Sequence, residues 1–184
     1  VIGIDLSKEK VDLINKQVSP IEEKGLHDWL KKSPFNATTN ANEAKDADII
    51  LICVPTPVKN RTEPDLGPVK GAVEAVSKVM KKGALLIVES TINPGVCDET
   101  VLPLVKLVTG YEEDEFDLAH CPERINPGDP HFSVRNINRV VGGNTEKARD
   151  RAVKFYESII DADIKPMNSL KEAEAVKVVE NSFR

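Results

Sequence analysis

The sequence has no apolar run long enough to span a membrane as a helix, and no basic stretch leads into an apolar one as in a secretory signal. Cysteine is scarce: Cys53, Cys97 and Cys121 form no C-x-x-C pair, and an odd number without framework spacing reads as reduced thiols in a cytoplasmic protein. The three histidines, His27, His120 and His131, lack metal-ligand spacing with the cysteines or with one another, so no metal site is expected. Neither a G-x-x-x-x-G-K-S/T phosphate loop nor a G-x-S-x-G nucleophile elbow occurs. No excess of positive charge is present, because 25 Lys and Arg stand against 30 Asp and Glu for a net charge of -5. That balance argues against a nucleic-acid partner, which needs clustered cations to neutralise phosphates. It leaves room for a small anionic ligand held by main-chain N–H groups at a helix N-terminus. Internal repeats and low-complexity segments are absent.

What is present is an ordinary globular composition over 184 residues, 40% hydrophobic and 30% charged, enough for one domain or one domain and the start of another. Strand-length apolar runs alternate with amphipathic segments. Val1 to Asp5 reads as a strand ending in an acid. Lys8 to Lys16 reads as a short helix with Ser7 as its N-cap, and Ile21 to Lys32 as a second. Ala37 to Thr39 is a brief strand and Glu43 to Lys45 a helical turn. Asp48 to Val54 is nearly all apolar, as expected of a strand covered on both faces in a parallel sheet. A polar loop runs to Pro64, then Asp65 to Lys81 forms a helix with Val69, Val73, Val76 and Met80 along one side. Ala84 to Glu89, Phe116 to His120, Arg139 to Gly142 and Ile164 to Pro166 read as further strands. Val96 to Val108, where Pro103 can disturb the pattern, Thr145 to Ile160 and Ser169 to Arg184 read as helices. This alternation predicts a Rossmann-like, doubly wound α/β domain with a mostly parallel sheet over residues 1–167. Residues 168–184 are expected to begin a central helical domain. The chain opens in a strand without Met and closes inside a helical pattern, so flanking sequence is expected on both sides.

Ligands of open α/β sheets sit beyond the carboxyl ends of the strands, so the residues leaving each strand are the candidates. Asp5 suits the acid that accepts hydrogen bonds from an adenosine ribose, or equally a loop or capping residue. Val54-Pro55-Thr56-Pro57 is a stiffened loop that offers the Thr56 hydroxyl to a ligand, or a rigid turn with none. Glu89-Ser90-Thr91, followed by Pro94-Gly95, opens a helix, where hydroxyls either cap or face a ligand. Glu123 beside Arg124 is an acid–base candidate or a surface ion pair of little worth. Lys177 and Asn181 share a helix face that can steady an oxyanion, or simply meet solvent, and Glu174 is a neighbour on that surface.

Each signal is modest alone, but their order is specific. An acid-ended strand followed by VPTP, ESTINPG, CPERINPG and AEAVKVVEN resembles the UDP-glucose/UDP-mannose dehydrogenase family of nucleotide-sugar 6-dehydrogenases. CPERINPG running through FSVRNINRVVGG is most similar to the branch acting on UDP-N-acetylhexosamines, including the mannosamine, glucosamine and galactosamine enzymes.

The resemblance implies NAD as cofactor, a UDP-sugar substrate and a homodimer built through the helix that begins near residue 168. It assigns Asp5 to the adenosine ribose, Lys10 to the same ribose or its phosphate, Val54 to the cofactor, and Thr56 and Thr91 to the nicotinamide side. Thr91 further matches a residue holding a catalytic water, Glu123 an acid–base glutamate with Arg124 beside it at the substrate, and Lys177 with Asn181 the oxyanion pair. An acid at position 5 disfavours the 2′-phosphate of NADP. The implied reaction is a four-electron oxidation of the sugar C6 alcohol, by way of an aldehyde and a cysteine thioester, in two hydride transfers.

Some family features have no counterpart here. The G-x-G-x-x-G turn and its strand would precede Val1, the nucleophilic cysteine would follow Arg184, and Pro127 stands where some relatives carry a second glutamate. The sheet is therefore expected without its first strand, and the chain is expected not to turn over substrate alone. Two other classes stay open on sequence: a hydroxy-acid-type dehydrogenase of similar plan and a non-catalytic nucleotide-binding module.

Overall fold

The computed structural model describes residues 1–22, 25–33, 35–60, 62–122 and 135–183. They divide into two compact units, Val1–Asp46 and Ala47–Arg184.

In the first unit, strand β1 (Ile2–Ile4) pairs in parallel with β2 (Asn36–Thr38). Helix α1 (Lys8–Asn15) joins them as a crossover, and the Ser7 side chain accepts from the Lys10 N–H as its N-cap. The Asn15 side chain ties the end of α1 to β2, donating to the Ala37 carbonyl at 2.9 Å and accepting the Ala37 N–H at 2.8 Å. The second helix is shorter than its apolar pattern suggests: α2 covers only Leu26–Lys32. Ser19 turns the chain first, its hydroxyl accepting the Ile21 N–H at 3.1 Å, a local bond that competes with helix. A 3-10 turn at Ala41–Ala44 stands where a helical turn is expected.

The second unit holds a five-stranded sheet. Its strands are β3 (Ile49–Ile52), β6 (Leu85–Val88), β7 (Asp117–His120), β8 (Arg139–Gly143) and β9 (Ile164–Pro166), in that spatial order. All pairings are parallel except β7 with β8. The sheet is centred on β6 and β7, in which every residue is buried. Each Leu, Ile or Val buried there contributes roughly 1.5–3 kcal/mol of transfer free energy. Strand β3 is the sheet's edge among the described residues, and Leu51 there is 39% exposed, so the expected cover on both faces of this strand is not found. The loop expected up to Pro64 contains a two-residue hairpin, β4 (Val58–Lys59) against β5 (Glu63–Pro64). Two-residue strands are too short for an alternating pattern to show.

Helix α3 (Gly67–Ser77) buries Val69, Val73 and Val76, and Met80 just beyond it, as its spacing predicts. The next helical segment is split. A π-helical turn at Cys97–Val101 precedes α4 (Leu102–Thr109), with Pro103 in the first turn of α4. Proline has no N–H for residue 99 and crowds its carbonyl, which widens the turn before it. Helix α5 (Glu146–Glu157), capped by Thr145, packs Ala152 and Tyr156 against Leu85, Ile87, Ala119 and Val141.

The last helix, α6 (Leu170–Phe183), lies against β8, β7 and the π turn. Adjacent glycines on β8 settle its seat. A Cβ on Gly143 would fall 2.4 Å from the Arg149 nitrogen of α5. A Cβ on Gly142 would fall 2.3 Å from the Ser169 carbonyl oxygen, at the start of α6. Successive strand residues face opposite sides, so α5 and α6 cover opposite faces of β8. Gly142→Ala is therefore expected to push α6 off the sheet and destabilise the fold by about 1–3 kcal/mol. Gly71→Ala, on α3 with nothing near its added methyl, is expected to stabilise it by about 0.5–1 kcal/mol. Urea unfolding of both variants checks the opposite signs.

Candidate functional site

Strands β3 and β6 run in parallel with Ile52 opposite Val88, so the chain leaves both at the same edge of the sheet. Residues Cys53, Val54, Pro55 and Thr56 on one side and Glu89, Ser90 and Thr91 on the other wall a cleft of about 320 Å³. Two hydroxyls lace the walls together. The Ser90 hydroxyl donates to the Val54 carbonyl at 2.7 Å, and the Thr56 hydroxyl donates to the Thr91 carbonyl at 2.7 Å. Thr56 thus has its proton committed and presents oxygen lone pairs only. Thr91 stands exposed at the rim.

Below the rim lies a charged cluster that strand-end reading does not anticipate. The Glu89 carboxylate accepts the Tyr156 hydroxyl at 2.5 Å and the Cys53 thiol at 3.3 Å. The guanidinium of buried Arg139, on β8, lies 3.7 Å from the same carboxylate and over the Tyr156 ring. The only sequence signal for this cluster is an acid and an arginine at the ends of strands otherwise fit for burial.

A second missed group is Glu174. Sequence reading leaves it on a face that can simply meet solvent, yet it is fully buried. Its carboxylate accepts the Gly95 N–H at 2.5 Å and the Cys97 N–H at 2.8 Å. These are donors that the start of a helix leaves without partners inside the helix. Gly95 has φ 99°, and a Cβ there would sit 2.9 Å from a Glu99 carboxylate oxygen. Lys177 is half-buried three residues further along α6. Asn181 lies on the same helix, and its side chain is outside what is described. Glu123 and Arg124 likewise lie outside the described residues.

In the first unit, Asp5 follows β1 and accepts the Ser7 N–H at 2.7 Å. Lys10 reaches to 3.9 Å from its other oxygen. Both side chains keep about half their surface open, at 42% for Asp5 and 56% for Lys10, so lone pairs and an ammonium remain available to a polar ligand. Among the described residues, no group of three or more metal-ligating side chains is present, and no helix is long and apolar enough to cross a membrane.

The titrating groups of the second unit define its chemistry further. Burial pushes the Cys97 thiol well above its ordinary value, reinforced by the Glu174 carboxylate, and pushes Cys121 up to about 12. Burial also raises the Tyr156 phenol. Alkylation at about pH 8 is therefore expected to label Cys53 in the folded chain and to reach Cys97 and Cys121 only in denaturant, as read by mass spectrometry.

His120, at the carboxyl end of β7, is fully buried, and burial lowers its pKa from 6.5 to about 4, with the Val88 main chain offsetting part of the effect. Between those values the unfolded chain binds the extra proton. The stability linked to this group is complete above about pH 6.5 and is lost as the pH falls towards 4, by about 1.4 kcal/mol per unit. Urea unfolding across that range is expected to show this slope, and His120→Gln to flatten it.

Comparison with known proteins matches this arrangement to one family. Residues 1–160 match the model of the UDP-glucose/GDP-mannose dehydrogenase family, NAD-binding domain. The mannose nucleotide in that name is GDP, where the motif reading has UDP. A UDP-N-acetyl-D-glucosamine 6-dehydrogenase of Pseudomonas aeruginosa is 32% identical over the whole chain, and a UDP-N-acetyl-D-mannosamine dehydrogenase of Pyrococcus horikoshii is 36% identical. The chain spans 44% of the length of each. Among solved structures, the UDP-D-ManNAc dehydrogenase of Pyrococcus horikoshii superimposes with a TM-score of 0.94 at 35% identity, covering all of this chain and 44% of that one. A GDP-mannose dehydrogenase in a ternary complex gives 0.90 at 27% identity, with the same coverage. The chain belongs to the UDP-glucose/GDP-mannose dehydrogenase family, and its residues 1–160 are the family's NAD-binding domain.

Proposed function

We propose that the polypeptide carrying this domain oxidises the C6 alcohol of a UDP-N-acetylhexosamine to the uronic acid, using NAD. The observation that carries the reading is the cleft at the carboxyl ends of β3 and β6, with α6, the helix of Lys177, tied by Glu174 to Gly95 and Cys97 in the turn that follows the cleft's second wall. The relatives named for N-acetylglucosamine and N-acetylmannosamine enzymes support the sugar class.

The residues fit the cofactor. A carboxylate at a strand end with open lone pairs, Asp5, suits a ribose diol, and its charge opposes a 2′-phosphate. Lys10 adds a cation beside it. Val54, Thr56 and Thr91 offer a short apolar wall and two hydroxyl oxygens to a nicotinamide ring. When bound, NAD supplies the hydride acceptor. The chain's own residues handle charge and protons. Lys177, with Asn181, steadies the oxyanion that develops on the C6 oxygen. Thr91 orients a water, and Glu123, with Arg124 beside the substrate, moves its proton. The buried thiols Cys97 and Cys121 are poor nucleophiles for such a reaction.

Residues 168–184 would begin a central helical domain. The exposed Val178, Val179 and Phe183 of α6 supply an apolar surface through which two copies can pair.

Initial rates of NADH formation by the polypeptide carrying this domain test the reading. UDP-N-acetylhexosamines are expected to be turned over with two NADH per sugar, and hydroxy acids not at all. Lys177→Met is expected to lower kcat by about 10²–10³-fold, the usual loss for one oxyanion donor. Turnover of hydroxy acids with none of UDP-sugars would reassign the enzyme, and NAD binding without any turnover would make it a binding module.

A further inference from the structure

We propose that Glu174 is a positioning residue for the reaction: it fixes the rotation of α6 and so sets Lys177 against the strand-tip cleft. The inference rests on the reading above that Lys177 meets the reacting oxygen.

Three attachments converge. At its start, α6 is seated on β8 at Gly142, where Ser169 and Ala173 leave no space for a side chain. One contact of this kind sets the height of a helix but leaves it free to roll. Glu174 supplies the second point, a buried carboxylate holding the Gly95 and Cys97 N–H groups at 2.5 and 2.8 Å. The turn that it holds is tied at its other end to the opposite cleft wall, because Thr56 donates to the Thr91 carbonyl and Ser90 to the Val54 carbonyl. A path of hydrogen bonds joined by the main chain of residues 91–95 thus runs from the Val54 wall to α6.

Lys177 lies three residues past Glu174, about 4.5 Å along the axis and about 60° around it. Any roll permitted by loss of the carboxylate is carried straight to the ammonium. The nearby pair of Lys171 with Glu99, 3.4 Å apart and well exposed, is too weak to hold the roll by itself. Glutamine is nearly isosteric but turns an NH₂ towards one of the two donors, so one bond is lost. Aspartate keeps both acceptor oxygens but falls one methylene short.

The test uses the polypeptide carrying this domain, with Glu174→Gln, Glu174→Asp, Lys177→Met and the Gln/Met double variant. Glu174→Gln is expected to lower kcat by about 10²-fold, the loss that follows displacement of a reacting group by about 1 Å, and to leave the KM for NAD unchanged. The double variant is expected to match Lys177→Met alone, because a misplaced donor and an absent donor lose the same interaction. Hydrogen exchange at the Gly95 and Cys97 amides is expected to quicken in Glu174→Gln. Losses that multiply in the double variant, or a lower Tm with unchanged kcat, would overturn the proposal. Should Glu174→Gln fail to fold, Glu174→Asp in the same cycle decides on the same criteria. Full activity in Lys177→Met would instead sink the reaction assignment. Amide protection that is unchanged in Glu174→Gln would then overturn the anchoring role on its own.

Discussion

A carboxylate with no exposure to water is costly unless its charge is met by well-placed donors, and Glu174 meets this demand with two main-chain N–H groups at a helix start. The helix needs acceptors there and the carboxylate needs donors, so each group offsets the other's desolvation. The chain passes through φ 99° at Gly95, where it meets the carboxylate, and that conformation explains a glycine at the end of the ESTINPG stretch. Truncating the carboxylate would strand two N–H groups in a dry interior, a larger loss than the net worth of the bonds themselves. This contact holds the start of the π turn and gives α6 a second point of attachment beyond its seat at Gly142.

The same economy of donors shapes the cleft. Two hydroxyls of the cleft walls, on Ser90 and Thr56, donate to main-chain carbonyls across the gap. They hold the walls at a fixed distance, and the prolines at 55 and 57 stiffen one wall further. Glu89 extends the framework below the rim, linking β6 to α5 through Tyr156 and to β8 through Arg139. Strand tips that are otherwise joined only by their ladders thereby become one rigid floor. Rigid walls of this kind hold dipoles in place before a ligand arrives, which removes reorganisation from the reacting step.

The strands and most helices were legible because burial writes a period into the chain. The run LLIV at 85–88 could only be a covered strand, and Val69, Val73, Val76 and Met80 mark the buried side of α3. The cleft was legible too, because strand ends are where α/β domains bind ligands, and VPTP and EST do face each other there. Glu174 was not. In AEAVKVVEN an acid among alternating small and charged residues looks solvated, and its partners lie 77 and 79 residues earlier in the chain. Glu89 and Arg139 were hidden for the same reason, since a long-range pair leaves no local period. The π turn needed knowledge of how Pro103 would be absorbed, and the antiparallel pairing of β8 needed the course of the chain between β7 and β8.

Which groups keep a free valence decides what such a cleft can do. Thr56 and Ser90 have committed their protons, Glu89 is enclosed by Tyr156, Cys53 and Arg139, and Glu174 is sealed beneath α6. Thr91 stands exposed on the wall, and in the proposed reaction Lys177 of α6 supplies the positive charge. A hydroxyl can take or give a hydrogen bond as a water moves, and an ammonium favours an oxygen more as its negative charge grows. On the proposed reaction, that division asks the buried and laced groups for geometry and Thr91 and Lys177 for the handling of charge. A shift in the framework would then act on rate more than on ligand affinity, because Lys177 gains most where the charge is fully developed.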